Sequence, residues 1–488
     1  MTLTNREQRP RLIELTSYQE FAVGPADAYR RSPFFAAMHV GTCFVAPLNA
    51  IIARNRLMRN NAKDPALQRM CREVGFHAVR TNEGVRLVGY EDSRAHFIGL
   101  GTLRQPGVFA DQALRDPADE GLLYTFDPAA SLRLKVELPP SAAVEIAFVD
   151  GYAENQYRAA ALIARHLDVA APHEATLKAT FARTRSLHAT PKRAASDQHG
   201  GFSEDGRELS APCDVQRPWA HLVANPLGHG FVASSEGEIF SFGANAQQNA
   251  LSPFSLDSVP TQLPGQAIYV FDPKTGVAET AGFAPYRRRG ARHEARYGLG
   301  YASYRKETGE LELDLTAFVP PDRPIEIKLF RVRNSGKSTR RLRIVPYVEI
   351  VLAEVPVDSR GRVRAWADTA PGVLYFENAA NDFRKGIAFA ATNLECQAQE
   401  TERARFVGGE GRDLTRPFML ERGHTDVSQV DDGRRIASFV ADLEIPAGEE
   451  AAAVVVLGQA ADQEQAAQLA RAYLEPRAAE LALEQTRE

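Results

Sequence analysis

The sequence predicts a mainly β protein: two related antiparallel β-sandwiches, the first incomplete, each trailed by short helices. Residues 324–352 carry the clearest strand signal. In the first arm Ile325, Ile327, Leu329 and Val332 alternate with Glu326, Lys328, Arg331 and Arg333. That period of two suits a strand with one buried and one wet face. Leu342, Ile344, Tyr347, Ile350 and Leu352 resume the pattern after the polar run Asn334, Ser335, Gly336, Lys337 and Ser338, so the two arms are expected to form a long antiparallel hairpin. The second arm also has an echo, since residues 340–349 resemble residues 11–20 and Tyr347 stands 329 positions after Tyr18.

Further echoes follow in the same order. Residues 75–79 match 386–390, residues 93–99 match 402–408, and residues 136–151 match 443–458. The spacing drifts slowly downward along the chain, as it would if loops in one copy had been trimmed, and this implies an internal duplication. Each copy closes on an amphipathic helical stretch. In the second, Asp462 is the expected N-cap with Gln465 three residues on, and Pro476 restarts a helix.

The expected domains are an incomplete first sandwich over 1–152, a helical segment over 153–187 and a linker over 188–214. A complete second sandwich over 215–459 and a C-terminal helical segment over 460–488 follow. Few residues precede Tyr18, so the first copy lacks a counterpart of the strand-rich stretch 219–320 and reads as the remnant of a longer chain.

Composition excludes several classes of function. Of 488 residues, 44% are hydrophobic and 25% charged, the balance of a soluble globular protein. A net charge of -4 gives no electrostatic footprint for nucleic acid. Cys43, Cys71, Cys213 and Cys396 are scattered, which points away from a disulfide framework or zinc site and toward a reducing cytoplasm. The uncharged stretch 34–53 has the length of a membrane span, but His39, Gly41, Thr42, Pro47 and Asn49 favour buried strand and loop. No phosphate loop, nucleophile elbow or metal pattern appears, so no cofactor is implied.

Asn245, Asn249 and Asp257 sit in a loop bearing Gly, Ser and Pro; their side chains suit sugar hydroxyls, and equally suit local turns. Tyr301 offers a sugar platform, while core packing is the commoner use of the tyrosines Tyr297, Tyr301 and Tyr304. His229 and His293 are the acid/base candidates, with Glu294 beside the latter. Arg287, Arg288, Arg289, Arg292 and Arg296 read as a solvated basic loop.

Several blocks resemble one family. They include residues 225–234, 245–249, 251–254 with Asp257, 264–269, 298–301, 318–320, 327–334, 403–408 and 457–458. The chain is similar to the amino-terminal β-supersandwich of glycoside hydrolase family 94, formerly glycosyltransferase family 36, and most like the repeated sandwiches of cyclic β-1,2-glucan synthases. The resemblance implies a galactose-mutarotase-like antiparallel supersandwich. In that family a helical (α/α)6 barrel carries the catalytic Asp, so no catalytic residue transfers to this chain.

The implied role is a non-catalytic carbohydrate-binding or structural module of a β-glucan synthase or disaccharide phosphorylase system. Its partners would be a β-glucan or oligosaccharide and a helical-barrel chain, or a second copy of itself. Its place would be the cytoplasm, beside a membrane-bound synthase. A stand-alone glucan-binding scaffold is the alternative, and a mutarotase-like enzyme using His229, His293 and Glu294 the lesser one. Phe242, Ala246, Gln247 and Phe254 stand where the family shows Trp, Ser, Arg and Trp, which removes a charged fork and an aromatic platform from that loop.

Overall fold

The computed structural model describes the chain except residues 32, 56–71, 100, 102, 104, 110–113, 126, 186–199, 214–217, 254–263, 289–290 and 369–371. Cys71, Phe254, Asp257 and Arg289 therefore lie outside the described residues. The chain divides into two units, residues 1–192 and 193–488.

In the second unit an antiparallel ten-stranded sheet faces a five-stranded one. The ten-stranded sheet runs through Glu208–Ala211, Arg292–Gly298, Tyr301–Thr308, Leu311–Phe318, Ile325–Asn334, Glu450–Ala460 and Ile387–Thr392 toward the edge strand Arg364–Ala367. The five-stranded sheet is centred on Arg340–Ile350, between Gln266–Asp272 and Arg435–Ile445. Val348, Ile350 and Phe439 from one sheet and Leu374, Phe376 and Leu457 from the other fill the space between them. Facing sheets that bury alternate residues make a sandwich. The expected mainly β, antiparallel supersandwich is therefore the observed fold.

Two expectations about residues 324–352 need correction. Its arms do not pair as a hairpin: Ile325–Asn334 pairs with Leu311–Phe318 and Glu450–Ala460, whereas Arg340–Ile350 pairs within the opposite sheet. The polar run between them is an arch from one sheet to the other. Nor is the Glu326 and Lys328 face wet. Glu326 is 0% and Lys328 4% exposed, and they form an ion pair inside the sandwich. Ile325, Ile327 and Leu329 point the other way, onto the terminal helices Gln463–Ala472 and Pro476–Arg487 through Ala466, Ala470, Ala479 and Leu483. Both faces of this strand are covered, so alternation separates two environments without telling which is solvent. The first terminal helix starts as expected, with Asp462 Oδ1 accepting Gln465 N–H at 2.9 Å.

Part of the expected linker is strand. Gly201–Phe202 and Glu208–Ala211 pair with each other, and the second pairs with Arg292–Gly298. Strands of two and four residues are too short to display a period. Residues 188–199 lie outside the described residues.

The first unit packs a five-stranded sheet, including Val40–Val45, Ala50–Asn55, Val74–Val79 and Phe148–Ala153, against a four-stranded one built on Pro128–Leu138. Half of stretch 34–53, in Val40–Val45 and the start of Ala50–Asn55, is thus paired strand, and among the described residues no helix is long and apolar enough to cross a membrane.

The duplication extends to individual hydrogen bonds. Asn334 Nδ2 donates to the carbonyls of Ser338, Ile445 and Pro446, and its Oδ1 accepts Gly336 N–H. Asn5 repeats this with Arg9, Leu138, Pro139 and Glu7. Likewise Glu400 Oε1 accepts Thr401 and Glu402 N–H, as Glu91 Oε1 accepts Asp92 and Ser93 N–H. A buried amide that closes an arch is hard to replace, because its carbonyl partners would be left unsatisfied.

Ser17, His77 and Asp150 fasten the two sheets of the first unit. Ser17 Oγ meets His77 Nε2 at 2.7 Å, and His77 Nδ1 meets Asp150 Oδ1. These are the residue types of a hydrolase triad, but Ser17 Oγ also accepts Leu132 N–H at 3.1 Å, which suits a strut more than a nucleophile. Ser17→Ala is expected to lower the stability of this unit by about 1 kcal/mol, read as a shift in its urea unfolding midpoint.

Candidate functional site: a charged groove on the large sheet

The terminal helix Pro476–Arg487 covers only part of the outer face of the ten-stranded sheet. Beside it lies a polar groove of about 400 Å³. Strand register builds its floor. Glu294 is opposite Arg305, Arg305 opposite Asp314, and Asp314 opposite Arg331. The result is a row of alternating charge across four strands, and each opposite-charge neighbour pair contributes roughly 0.2–1 kcal/mol. Arg296, Ser303, Thr316 and Leu329 form the next row. Glu208 and the helix residues Glu480, Glu484 and Arg487 complete the lining.

Most of these charges are already engaged. Arg296 reaches Glu294 at 2.8 Å and Glu208 at 3.5 Å, Arg305 reaches Glu312 at 3.0 Å, and Arg331 reaches Glu480 at 2.7 Å. Asp314 differs. Its carboxylate has no hydrogen bond among the described residues, and burial lifts its pKa above the ordinary aspartate range while Arg331 and Arg305 pull it back. A free, partly desolvated acceptor flanked by guanidinium donors is suited to a ligand hydroxyl.

The sign of this shift has a consequence. A carboxyl whose pKa is raised on folding holds its proton more tightly in the folded state, so stability falls as pH climbs from the ordinary aspartate value through the raised one. Asp314→Asn is expected to remove that decline. Melting temperatures of the two proteins from pH 3 to 7 would show it, and parallel curves would count against it.

The residues singled out in the sequence do not converge on this groove. Tyr301 stands at its end, with its hydroxyl donating to Glu208 and Arg487 4.5 Å over its ring. It is buried, and its phenol is pushed up to about 12 by burial and by Glu208. Tyr301 therefore buttresses Glu208 and offers no open sugar platform. Tyr297 and Tyr304 point into the sandwich, where their hydroxyls donate to the carbonyls of Trp219 and Ser234.

Asn249 is 0% exposed and fully engaged. It donates to Gly243 O at 2.9 Å and Gln459 Oε1 at 2.8 Å, and accepts from Asn381 Nδ2 at 3.0 Å. That removes it from the sugar contacts. Asn245 is half-buried, and its Oδ1 takes the N–H groups of Gln247 and Gln248 in a turn.

His229 is 2% exposed, and burial first, then Arg384 and Lys328, holds its imidazole down at about 3. His293 is held at about 4 by burial and by Lys306. Both are neutral at pH 7. His293 and Glu294 are consecutive on one strand and so point to opposite faces of the sheet; they cannot serve as the acid/base pair of a mutarotase-like site.

The arginine cluster is only in part the expected solvated loop: Arg292, 83% exposed, and Arg296, 49% exposed, are solvated but lie on a strand, whereas Arg287 is buried. Arg287 pairs with buried Glu236 at 2.7 Å, and Arg288 with Glu279, which also holds fully buried Lys306 at 2.5 Å. Arg305, Asp314 and Arg331 were not legible as a site because only the register brings them together. Their one local signal is a charge at every second strand position.

A family model for the glycosyl hydrolase 94 supersandwich domain matches residues 1–169 and 208–476. The cyclic β-(1,2)-glucan synthase NdvB of Rhizobium meliloti (strain 1021) is 30% identical over 279 residues, 54% of this chain and 10% of that protein. The chain thus spans a tenth of that relative's length. Among solved structures, a bacterial glucoamylase complexed with acarbose is similar at a TM-score of 0.37 and 12% identity, over 60% of this chain and 39% of that one. A galactose mutarotase related enzyme from Lactobacillus acidophilus is similar at a TM-score of 0.28 and 10% identity, over 50% of this chain and 97% of that one. With the family model covering most of its length, this chain belongs to the glycosyl hydrolase 94 supersandwich family.

Proposed function

We propose that the chain is a carbohydrate-binding and structural supersandwich of a β-glucan synthase or disaccharide phosphorylase system, without catalysis of its own. It would act with a helical-barrel chain or as a homodimer, on the cytoplasmic side of a membrane-bound synthase. The observation that carries this reading is the groove. Asp314 offers a free acceptor between Arg305 and Arg331, and Ser303 and Thr316 add hydroxyls on the same face. Polar groups set on rigid strands can fix the orientation of an oligosaccharide.

Calorimetric titration with linear and cyclic β-1,2-glucans tests binding. Saturable heat that weakens about tenfold in Arg305→Ala is expected, on the scale of one lost charge-assisted hydrogen bond; no heat would remove the binding claim. Incubation with β-linked disaccharides and phosphate tests the second half. Sugar 1-phosphate formed robustly by the chain alone would refute the non-catalytic role.

A further inference from the structure

In the first unit Phe148–Ala153 is the end strand of the five-stranded sheet. It pairs with Val74–Val79 on one side, and among the described residues no strand pairs with its other side. The corresponding strand of the second unit, Glu450–Ala460, is paired on both sides, with Ile387–Thr392 and with Ile325–Asn334. The match holds residue by residue. Gly151 lies opposite Phe76 as Gly458 lies opposite Phe389. Thr2, Leu3 and Thr4, just before Asn5, pair with Glu145, Val144 and Ala143; Arg331, Val332 and Arg333, just before Asn334, pair with Ala452, Ala451 and Glu450. Thr2–Thr4 is thus the equivalent of the end of Ile325–Asn334. Met1 and Ile146 continue its ladder, each donating its backbone nitrogen to the other's carbonyl at 2.9 Å. Beyond them, the positions opposite Ala147 to Gly151 are those that Leu329 to Ile325 take in the second unit.

In the second unit Ile325 and Ile327 pack with the helix Gln463–Ala472. The first unit has the equivalent helix, Gln156–Leu167, capped by Asn155 as Asp462 caps its counterpart. At its open edge lies a hollow of about 420 Å³, lined in part by Phe76, Val149, Gly151 and Leu162. Val149 and Leu162 pack with the core on the helix side. Residues directly opposite in an antiparallel pair share a face, so side chains opposite Val149 and Gly151 would enter this hollow. Asp150 turns to the other face, where it meets His77, and its side chain is 53% exposed. A cation opposite Asp150 would pair with it, whereas a carboxylate there would be repelled.

We infer that the open edge of Phe148–Ala153 is a docking site for an extended strand of another polypeptide. The strand runs antiparallel, carries branched apolar residues opposite Gly151 and Val149, and has a basic residue between them opposite Asp150. Unpaired backbone N–H and C=O groups supply the ladder, and the hollow selects alternate side chains. The same strand of a second copy fits poorly. It would present Val149, Gly151 and Ala153 to the hollow, residues too small to fill it, and a pairing centred on Asp150 would set two carboxylates opposite each other. This surface is separate from the groove and does not depend on glucan binding there.

The full chain with Ile-Lys-Ile-Thr-Leu joined ahead of Met1 tests this. The tether sets the added residues opposite Gly151 to Ala147 at high effective concentration. Hydrogen–deuterium exchange over residues 147–153 should slow about tenfold or more relative to the parent. Shifting the added pattern by one residue turns its apolar side chains to the other face and should abolish the slowing. Glutamate in place of the added lysine should keep only part of it. The same peptide, free and fluorescently labelled, should bind the parent saturably and the tethered chain about tenfold more weakly or less, because the tether occupies the edge. Equal exchange in the in-register and shifted chains, or a free peptide that binds both chains alike or neither, overturns the inference. A parent that sediments as a dimer, and that the tether converts to a monomer, would make a second copy the occupant and overturn the assignment to another polypeptide.

Discussion

Lys328→Met is expected to destabilise the second unit by about 3–5 kcal/mol, the usual cost of leaving one member of a buried ion pair alone. Lys328 Nζ donates to Glu326 and to Gln266 Oε1, and Gln266 Nε2 donates to Ser241 Oγ at 2.6 Å and Ser252 Oγ at 2.9 Å. Ser241 Oγ donates to Glu326 as well. Removing the ammonium leaves the Glu326 carboxylate at 0% exposure with a single hydroxyl donor. Methionine keeps most of the volume, so the loss would report charge and hydrogen bonding more than a cavity. The double variant Glu326→Gln/Lys328→Met should recover much of it, since the stranded charge is gone. Urea unfolding of the three proteins decides the matter, and a single variant as stable as the parent would show that the network contributes little.

The second large effect is expected at Asn249. Asn249→Ala removes two donated hydrogen bonds and one accepted one in a fully buried place; Gly243 O keeps Asn245 N–H and Asn381 Nδ2 keeps Leu352 O, so the uncompensated losses fall on Gln459 Oε1 and one Asn381 N–H. Each unsatisfied buried group costs about 1–3 kcal/mol, and relaxation makes the total smaller than the sum, about 2–4 kcal/mol. Thermal unfolding would show the drop. At temperatures where the variant remains folded, its affinity for β-1,2-glucan should equal that of the parent. A selective loss of glucan binding at unchanged stability would restore Asn249 as a sugar contact.

The sequence alone determined the antiparallel sandwich, its duplication and the family. Strand alternation and the capped terminal helix are local signals, carried by residues close together in the chain, and each echo is a match between two such local stretches. The tertiary structure decided which face of each strand meets water. Glu326 and Lys328 look like a solvent face by spacing, yet the opposite sheet covers them and the terminal helices cover Ile325 and Ile327. It also decided what the individual polar residues do. Asn249 and Tyr301 carry the right chemistry for sugar, but their partners at Gln459, Asn381 and Glu208 are remote in sequence and consume that chemistry. Asp314 gained its interest in the opposite way, because among the described residues no donor is hydrogen-bonded to its carboxylate. Hydrogen-bond capacity belongs to the residue, but whether it is spent inside the protein depends on register and packing across long sequence separations, which no local pattern encodes.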